Sequence, residues 1–241
     1  MKGIMRGASS WIVGAVVGLA VLSMLFTFVP NVPAQGRGAQ QDGPTPVADG
    51  HPDLSGRYLF VGGPSQEKPV FKPETKAQYS AQPPYGTCSP IGTPTAITIQ
   101  TTQHGPIQLI STPGVLWILT ILPQSVRRIP MDGRPHSKYP DTSAAGESVG
   151  HWDGDTLVVD TLAVDPRMMN ISVGGLSWTH SDQEHVIERF SRPSKNSLTY
   201  QLTIEDPVVL AKPFASAPMR WALAQGDDSW KQGVPHPGCD F

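Results

Sequence analysis

Between Gly146 and Thr161 the chain reads GESVGHWDGDTLVVDT, and this stretch limits the fold more than any other. Read with period two it is a β-hairpin: a strand ending at Trp152, a turn at Asp153-Gly154, and a return strand from Thr156 to Thr161. Asp-Gly between two strand-like runs signals a tight hairpin, because Gly accepts the positive φ of a type I′ turn. On the return strand Leu157 and Val159 point one way, and Thr156, Val158 and Asp160 the other.

More strands of the same kind flank it. Arg57–Val61 reads as the first, Thr95–Thr102 (TAITIQTT) alternates and is β-branched, and Ile107–Ser111 pairs with Val115–Leu122 around Pro113-Gly114. Val115–Leu122 is nearly apolar on both faces, which predicts a central strand covered on both sides. Ser125–Met131 follows. Gln183–Arg192 and Ser197–Asp206 form a long hairpin around Pro193–Asn196, with Leu198, Tyr200, Leu202 and Ile204 on one face. Pro213-Phe214 and Ala217–Leu223 give a last strand, while Leu162–Thr179 is too irregular to assign. One short helix is expected at Pro73–Gln82, stopped by Pro83-Pro84. The 25 Pro and 24 Gly suit short strands joined by many turns. The fold class predicted is all-β, an antiparallel calycin-like barrel or strongly curved sandwich of about 8–10 strands. One N-terminal transmembrane helix precedes it.

That helix is Trp11–Val29, nineteen uncharged residues behind Lys2 and Arg6. At 1.5 Å per residue it is just long enough to cross a bilayer core. The positive end stays in the cytoplasm, so the remainder is exported. Val32-Pro33-Ala34 fits a signal-peptidase site and therefore a cleaved leader starting the mature chain at Gln35; the length of the apolar run favours a retained anchor. Residues 1–34 are thus an anchor or signal segment, Gln35–Gly50 a flexible linker, and 51–241 a periplasmic β domain. Without Lys2 and Arg6, 16 Lys+Arg face 20 Asp+Glu, a net of −4. No basic stripe exists, so nucleic acid is not an expected partner. Cys88 and Cys239 are an even pair in an oxidising compartment, which points to a disulfide, the alternative being two unrelated thiols. CxxCH and CxxC are both absent, which excludes attached c-type haem and a thioredoxin-like role; no cofactor is expected.

The runs WDGDTLVVDT, THSDQEHVIERFSR and LTYQLTIEDPVVLAKPF resemble a family of exported bacterial proteins that carry a W-x-GDTLVVDT, HS-x-ERF-x-R and TI-x-DP…KP-[WF] series. RRIPMDGRPH and the Cys88 loop are similar to earlier blocks of that pattern. The resemblance spans roughly Pro52 to Phe214 and implies an exported β-rich domain, with no particular reaction. Ala163–Gly175 departs from it, replacing a segment that usually carries an aromatic-Asn pair.

Polar side chains gather in three groups. The first is Arg127, Arg128, Asp132, Arg134 and His136; the second Trp152, Asp153 and Asp155; the third His180, Asp182, Glu184, His185, Glu188 and Arg189. Arginines beside His and carboxylates suit an anionic ligand or an acid–base pair, though the same residues also pair routinely at strand ends. The ligand-binding candidates are Arg128, Asp132, Arg134, His136, Trp152, Asp155, His180 and Glu188. Glu188 shares an inward face with Val186 and Phe190, so a buried carboxylate needs a partner, Arg128 or Arg189. His180 and His185 are five apart, on opposite faces of a strand, and no HxH or HxxxH occurs; no metal is expected. No G-x-S-x-G marks a nucleophile. Two functions follow. One is a non-catalytic, membrane-anchored accessory subunit docking on a protein partner in a membrane complex. The other is an exported barrel holding a small organic molecule, with Arg128, His180 and Glu188 lining its interior.

Overall fold

Alternation of apolar and polar residues builds almost everything in the computed structural model, which describes residues 50–75, 91–99, 105–120, 125–167 and 171–225. In chain order the strands are β1 (Gly56–Gly62), β2 (Ile107–Thr112), β3 (Val115–Thr120), β4 (Ser125–Pro130), β5 (Glu147–Asp153), β6 (Thr156–Leu162), β7 (Ile171–Val173), β8 (Leu176–Trp178), β9 (His185–Ser194), β10 (Ser197–Glu205), β11 (Phe214–Ala215) and β12 (Met219–Leu223). All pairings between them are antiparallel. Ten form one sheet in the order β4-β3-β2-β1-β12-β10-β9-β6-β5, with β11 beside β10; β7 and β8 make a separate ribbon. The ends of that order, β4 and β5, come together through side chains. The sheet is thus a nearly closed barrel with a single seam and almost no helix.

The hairpin Glu147–Leu162 stands where the sequence placed it, but its turn falls one residue later. Asp153 pairs with Thr156, leaving Gly154-Asp155 at the corner. Only Gly154 has positive φ (+60°), the pattern of a type II′ turn rather than I′. Two other expectations change. Thr95–Thr98 is a single helical turn, α1, and not a strand. Its hydroxyls are used by β7: Thr95 Oγ1 accepts from the Ser172 amide, and Thr98 donates to the Ser172 carbonyl. Those bonds and burial of Ile97 outweigh β-propensity. β3 is not covered on both sides; Val115, Trp117 and Leu119 stay half-buried on the outer face, with the Arg128 guanidinium 5.9 Å over the Trp117 ring. Most of the expected helix at Pro73–Gln82, both cysteines and the run Trp11–Val29 lie outside the described residues. Among the described residues no helix is long and apolar enough to cross a membrane.

The inner rows of the strands fill the barrel. Tyr58, Leu109, Leu116, Ile118, Leu157, Phe190, Leu198, Tyr200 and Trp221 pack there, with Trp178 and Phe214 edge to face at 5.1 Å. At the seam Gly150 lets the edges approach: a Cβ there would sit 3.1 Å from Ile129 and 3.3 Å from Met131.

Candidate functional site

Side chains alternate along β4, so Arg127 and Ile129 turn inward while Val126 and Arg128 turn outward. Arg127 is the one that matters inside. Its Nε–H donates to Ser148 Oγ (2.9 Å), and Nη2–H donates to Thr161 Oγ1 (2.6 Å) and Glu188 Oε2 (2.5 Å). Tyr200 donates its hydroxyl to the other Glu188 oxygen at 2.8 Å. Glu188 is fully buried and Arg127 is 7% exposed. Burial, reinforced by the Glu188 charge, pushes the Tyr200 phenol well above its ordinary value, so it remains a donor throughout the usable pH range. The network ties β4 to β5, β6, β9 and β10. It is the polar lock of the seam.

The partner of Glu188 is therefore Arg127; Arg128 faces outward over Trp117, and Arg189 pairs with Asp153 at 2.6 Å on the surface. Val186, Glu188 and Phe190 do share the inward face. Arg127 also lines a cavity of about 270 Å³ at the seam, walled by Ile97, Ile118, Val126 and Ala145, with Thr93, Thr120 and Ser125 as its other polar groups. Thr120 and Ser125 bond to each other at 2.6 Å. None of Arg128, His180 and Glu188 lines this cavity.

A second cluster lies on the outer face. His136 Nε2 and His185 Nε2 both meet Asp160 Oδ1 at 2.9 Å, while their Nδ1 atoms reach Glu147 (3.2 Å) and Glu205 (3.3 Å). Glu147 also takes the Ser137 amide and hydroxyl. This chain pins the segment after β4 against β5, β6 and β9. The bond from Asp160 raises His185 above the usual imidazole value. Burial pushes Asp160 up, and its two imidazole bonds more than offset that, leaving it below the usual carboxylate range.

A third group is buried near the start of β9. His180 Nδ1 lies 2.6 Å from Glu184 Oε2. Burial raises the Glu184 carboxyl; burial also lowers His180, but Glu184, the Ser181 backbone and the Asp206 charge together outweigh it and leave His180 raised. Asp206 accepts from the Ser181 amide and hydroxyl and from the Val208 and Val209 amides.

The eight candidates are thus dispersed. Glu188 is in the seam lock and His136 in the outer chain, while Arg128 covers Trp117. Asp132 and Arg134 pair with each other at 2.5 Å on the surface, which holds Asp132 down at about 2. Trp152 stacks on His51 at 4.6 Å, and Asp155 is exposed in the hairpin turn. His180 sits with Glu184. Arg127, Tyr200, Ser148 and Thr161 were not among them, although Ile129 fixes the phase of β4 and so marks Arg127 as the inward arginine. Among the described residues, no His, Cys, Asp and Glu side chains converge as a metal site needs. No protein-family model, curated protein or solved structure matches the chain.

Proposed function

We propose that the chain is a membrane-anchored periplasmic β-barrel that acts as a non-catalytic binding subunit, docking on a protein partner within a larger membrane complex. One observation carries this reading. The outer face of β2, β3 and β4 presents Ile110, Trp117, Leu119 and Val126 in register, with Ile110 opposite Trp117 and Leu119 opposite Val126. Val126 is 63% exposed and Ile110 36%. A contiguous apolar patch on a barrel, rimmed here by Arg128 and Gln108, is a common mark of a protein-docking surface. The patch ends at β4, the last strand of the sheet order. The uncharged run Trp11–Val29 supplies the anchor and Gln35–Gly50 the tether.

The test is site-specific photocrosslinking in isolated membranes, together with N-terminal sequencing of the membrane-bound chain. A crosslinker at Val126 should give one discrete adduct with another protein, abolished by Leu119→Asp and absent when the crosslinker stands at Asp155. A mature start at Gln35 in the soluble fraction, with no adduct from Val126, would overturn the proposal.

A further inference from the structure

The seam cavity shares Val126 with the outer docking face but is lined otherwise by different residues, and its chemistry is specific enough to name a ligand class. It lies where β4 and β5 fail to pair, and small side chains such as Ala96, Ala144 and Ala145 leave its volume of about 270 Å³ open. Interiors are normally packed to crystal-like density, so a space of this size beside a buried charge is unusual. It stands just below the small end of ligand pockets, with room for roughly nine heavy atoms if a water takes about 30 Å³.

Among the described residues of the lining, Arg127 alone is charged. Its Nε and Nη2 are committed to Ser148, Thr161 and Glu188; Nη1 takes part in none of those bonds. A guanidinium carries five N–H donors, and those on Nη1 therefore remain for an acceptor. The charge, in contrast, is already balanced. Glu188 neutralises Arg127 at 2.5 Å, and Tyr200 holds the second Glu188 oxygen. A carboxylate entering the cavity would add a net negative charge to an apolar site with no counter-charge left, and a cation would meet Arg127. The Thr120–Ser125 hydroxyl pair adds a second polar contact on the same wall. Donor without spare charge selects a neutral acceptor.

We propose that the seam cavity binds an uncharged, mainly apolar carbonyl compound, whose oxygen accepts a hydrogen bond from Arg127 while its hydrocarbon part lies against Ile97 and Ile118. The site lies between the end of β3, the start of β4, α1 and the alanines ahead of β5, and its lining includes exposed Val126.

Three probes of matched size separate the possibilities: acetophenone, benzoate and cumene, titrated by ligand-observed NMR into the full-length chain in lipid nanodiscs, with empty nanodiscs as blank. Acetophenone should bind about tenfold tighter than cumene, the value of a hydrogen bond to a charged donor. Benzoate should be weaker than acetophenone by a similar factor. Ala145→Leu, which fills the cavity and leaves Arg127 and Glu188 in place, should abolish acetophenone binding while the thermal midpoint is kept. Benzoate binding tightest would overturn the uncharged class. Cumene equal to acetophenone would overturn the role of Arg127. Signals at the blank level, or binding untouched by Ala145→Leu, would overturn the site itself.

Discussion

Replacing Glu188 by Leu should be among the most damaging single changes in the barrel. The carboxylate is wholly buried, and its removal leaves the Arg127 guanidinium, 7% exposed, with only two hydroxyls for company. Breaking a buried ion pair by deleting one partner costs about 3–5 kcal/mol, because the survivor is an uncompensated charge. Against a total stability of roughly 5–15 kcal/mol this is a fifth or more. For a unit the size of Asp42–Phe241 it corresponds to a fall in Tm of about 6–20 °C. Arg127→Met should cost a similar amount for the mirror reason. The combination Arg127→Met/Glu188→Leu should recover most of the loss, since two apolar side chains of similar volume replace a desolvated pair. What remains is the Tyr200 hydroxyl, which has lost its acceptor and costs about 1–3 kcal/mol until Tyr200→Phe removes it. The assay is urea unfolding followed by tryptophan fluorescence, with Trp178 and Trp221 buried in the core as reporters. Single variants costing under about 1 kcal/mol, or a double variant costing the sum of its singles, would refute the reasoning, because either result means the two charges are not coupled in a dry seam.

Three further outcomes are expected. The outer His–carboxylate chain should make stability fall on both sides of a plateau. His185, raised in the fold, contributes fully below the ordinary imidazole value of 6.5 and loses its contribution as pH rises through its folded pKa. Asp160, lowered in the fold, contributes above 3.8 and loses its contribution as pH falls through its folded pKa. The chain's own contribution, read as the difference in urea midpoint between the parent and His185→Phe or Asp160→Asn, should therefore be flat between those values and decline outside them. The change should be tenths of a kcal/mol, as both groups are partly exposed, and His185→Phe should remove only its own share of the alkaline limb, because buried His180 is raised as well. Gly150→Val should cost about 1–3 kcal/mol by calorimetry, since its side chain would press Ile129 and Met131 at the seam; an unchanged midpoint would mean the edges stand further apart. Asp206→Ala should cost about 2 kcal/mol or more, leaving the buried Ser181 amide and hydroxyl without their acceptor, with Asp206→Asn intermediate on the same measurement.

What the sequence made legible was local. β10 reads directly from Leu198, Tyr200, Leu202 and Ile204, and the hairpins β5–β6 and β9–β10 follow from short-range turn and alternation signals. The errors arose where a distant partner decides. TAIT has the residues of a strand, yet at Thr95–Thr98 the hydroxyls of two threonines answer the backbone of Ser172, more than seventy residues away, and a helical turn results. The apolar outer row of β3 looked like a covered face, but it is shielded in part by the stem and head of Arg128 on the neighbouring strand. Glu188 was legible as a buried carboxylate from its own strand. Its partner was not, because β4 and β9 become neighbours only when the sheet curls round to bring its two ends together.

That curl also explains why the polar groups sit where they do. A fully paired barrel would have no use for an arginine turned inward from β4. An edge strand does, because an inward-pointing charge blocks the edge from pairing with another chain through a slipped register. Arg127 meets this requirement and, through Ser148, Thr161 and Glu188, converts it into the link that holds the edges together. A seam joined by side chains in place of a backbone ladder leaves gaps between the joints. The cavity beside Arg127 is one such gap. The hairpin that organises the sequence ends in an exposed turn carrying Asp155, while the chemistry collects at the one line along which the sheet does not close. Functional groups in this barrel are best sought from the topology of its failure to close, and only then from its most regular strands.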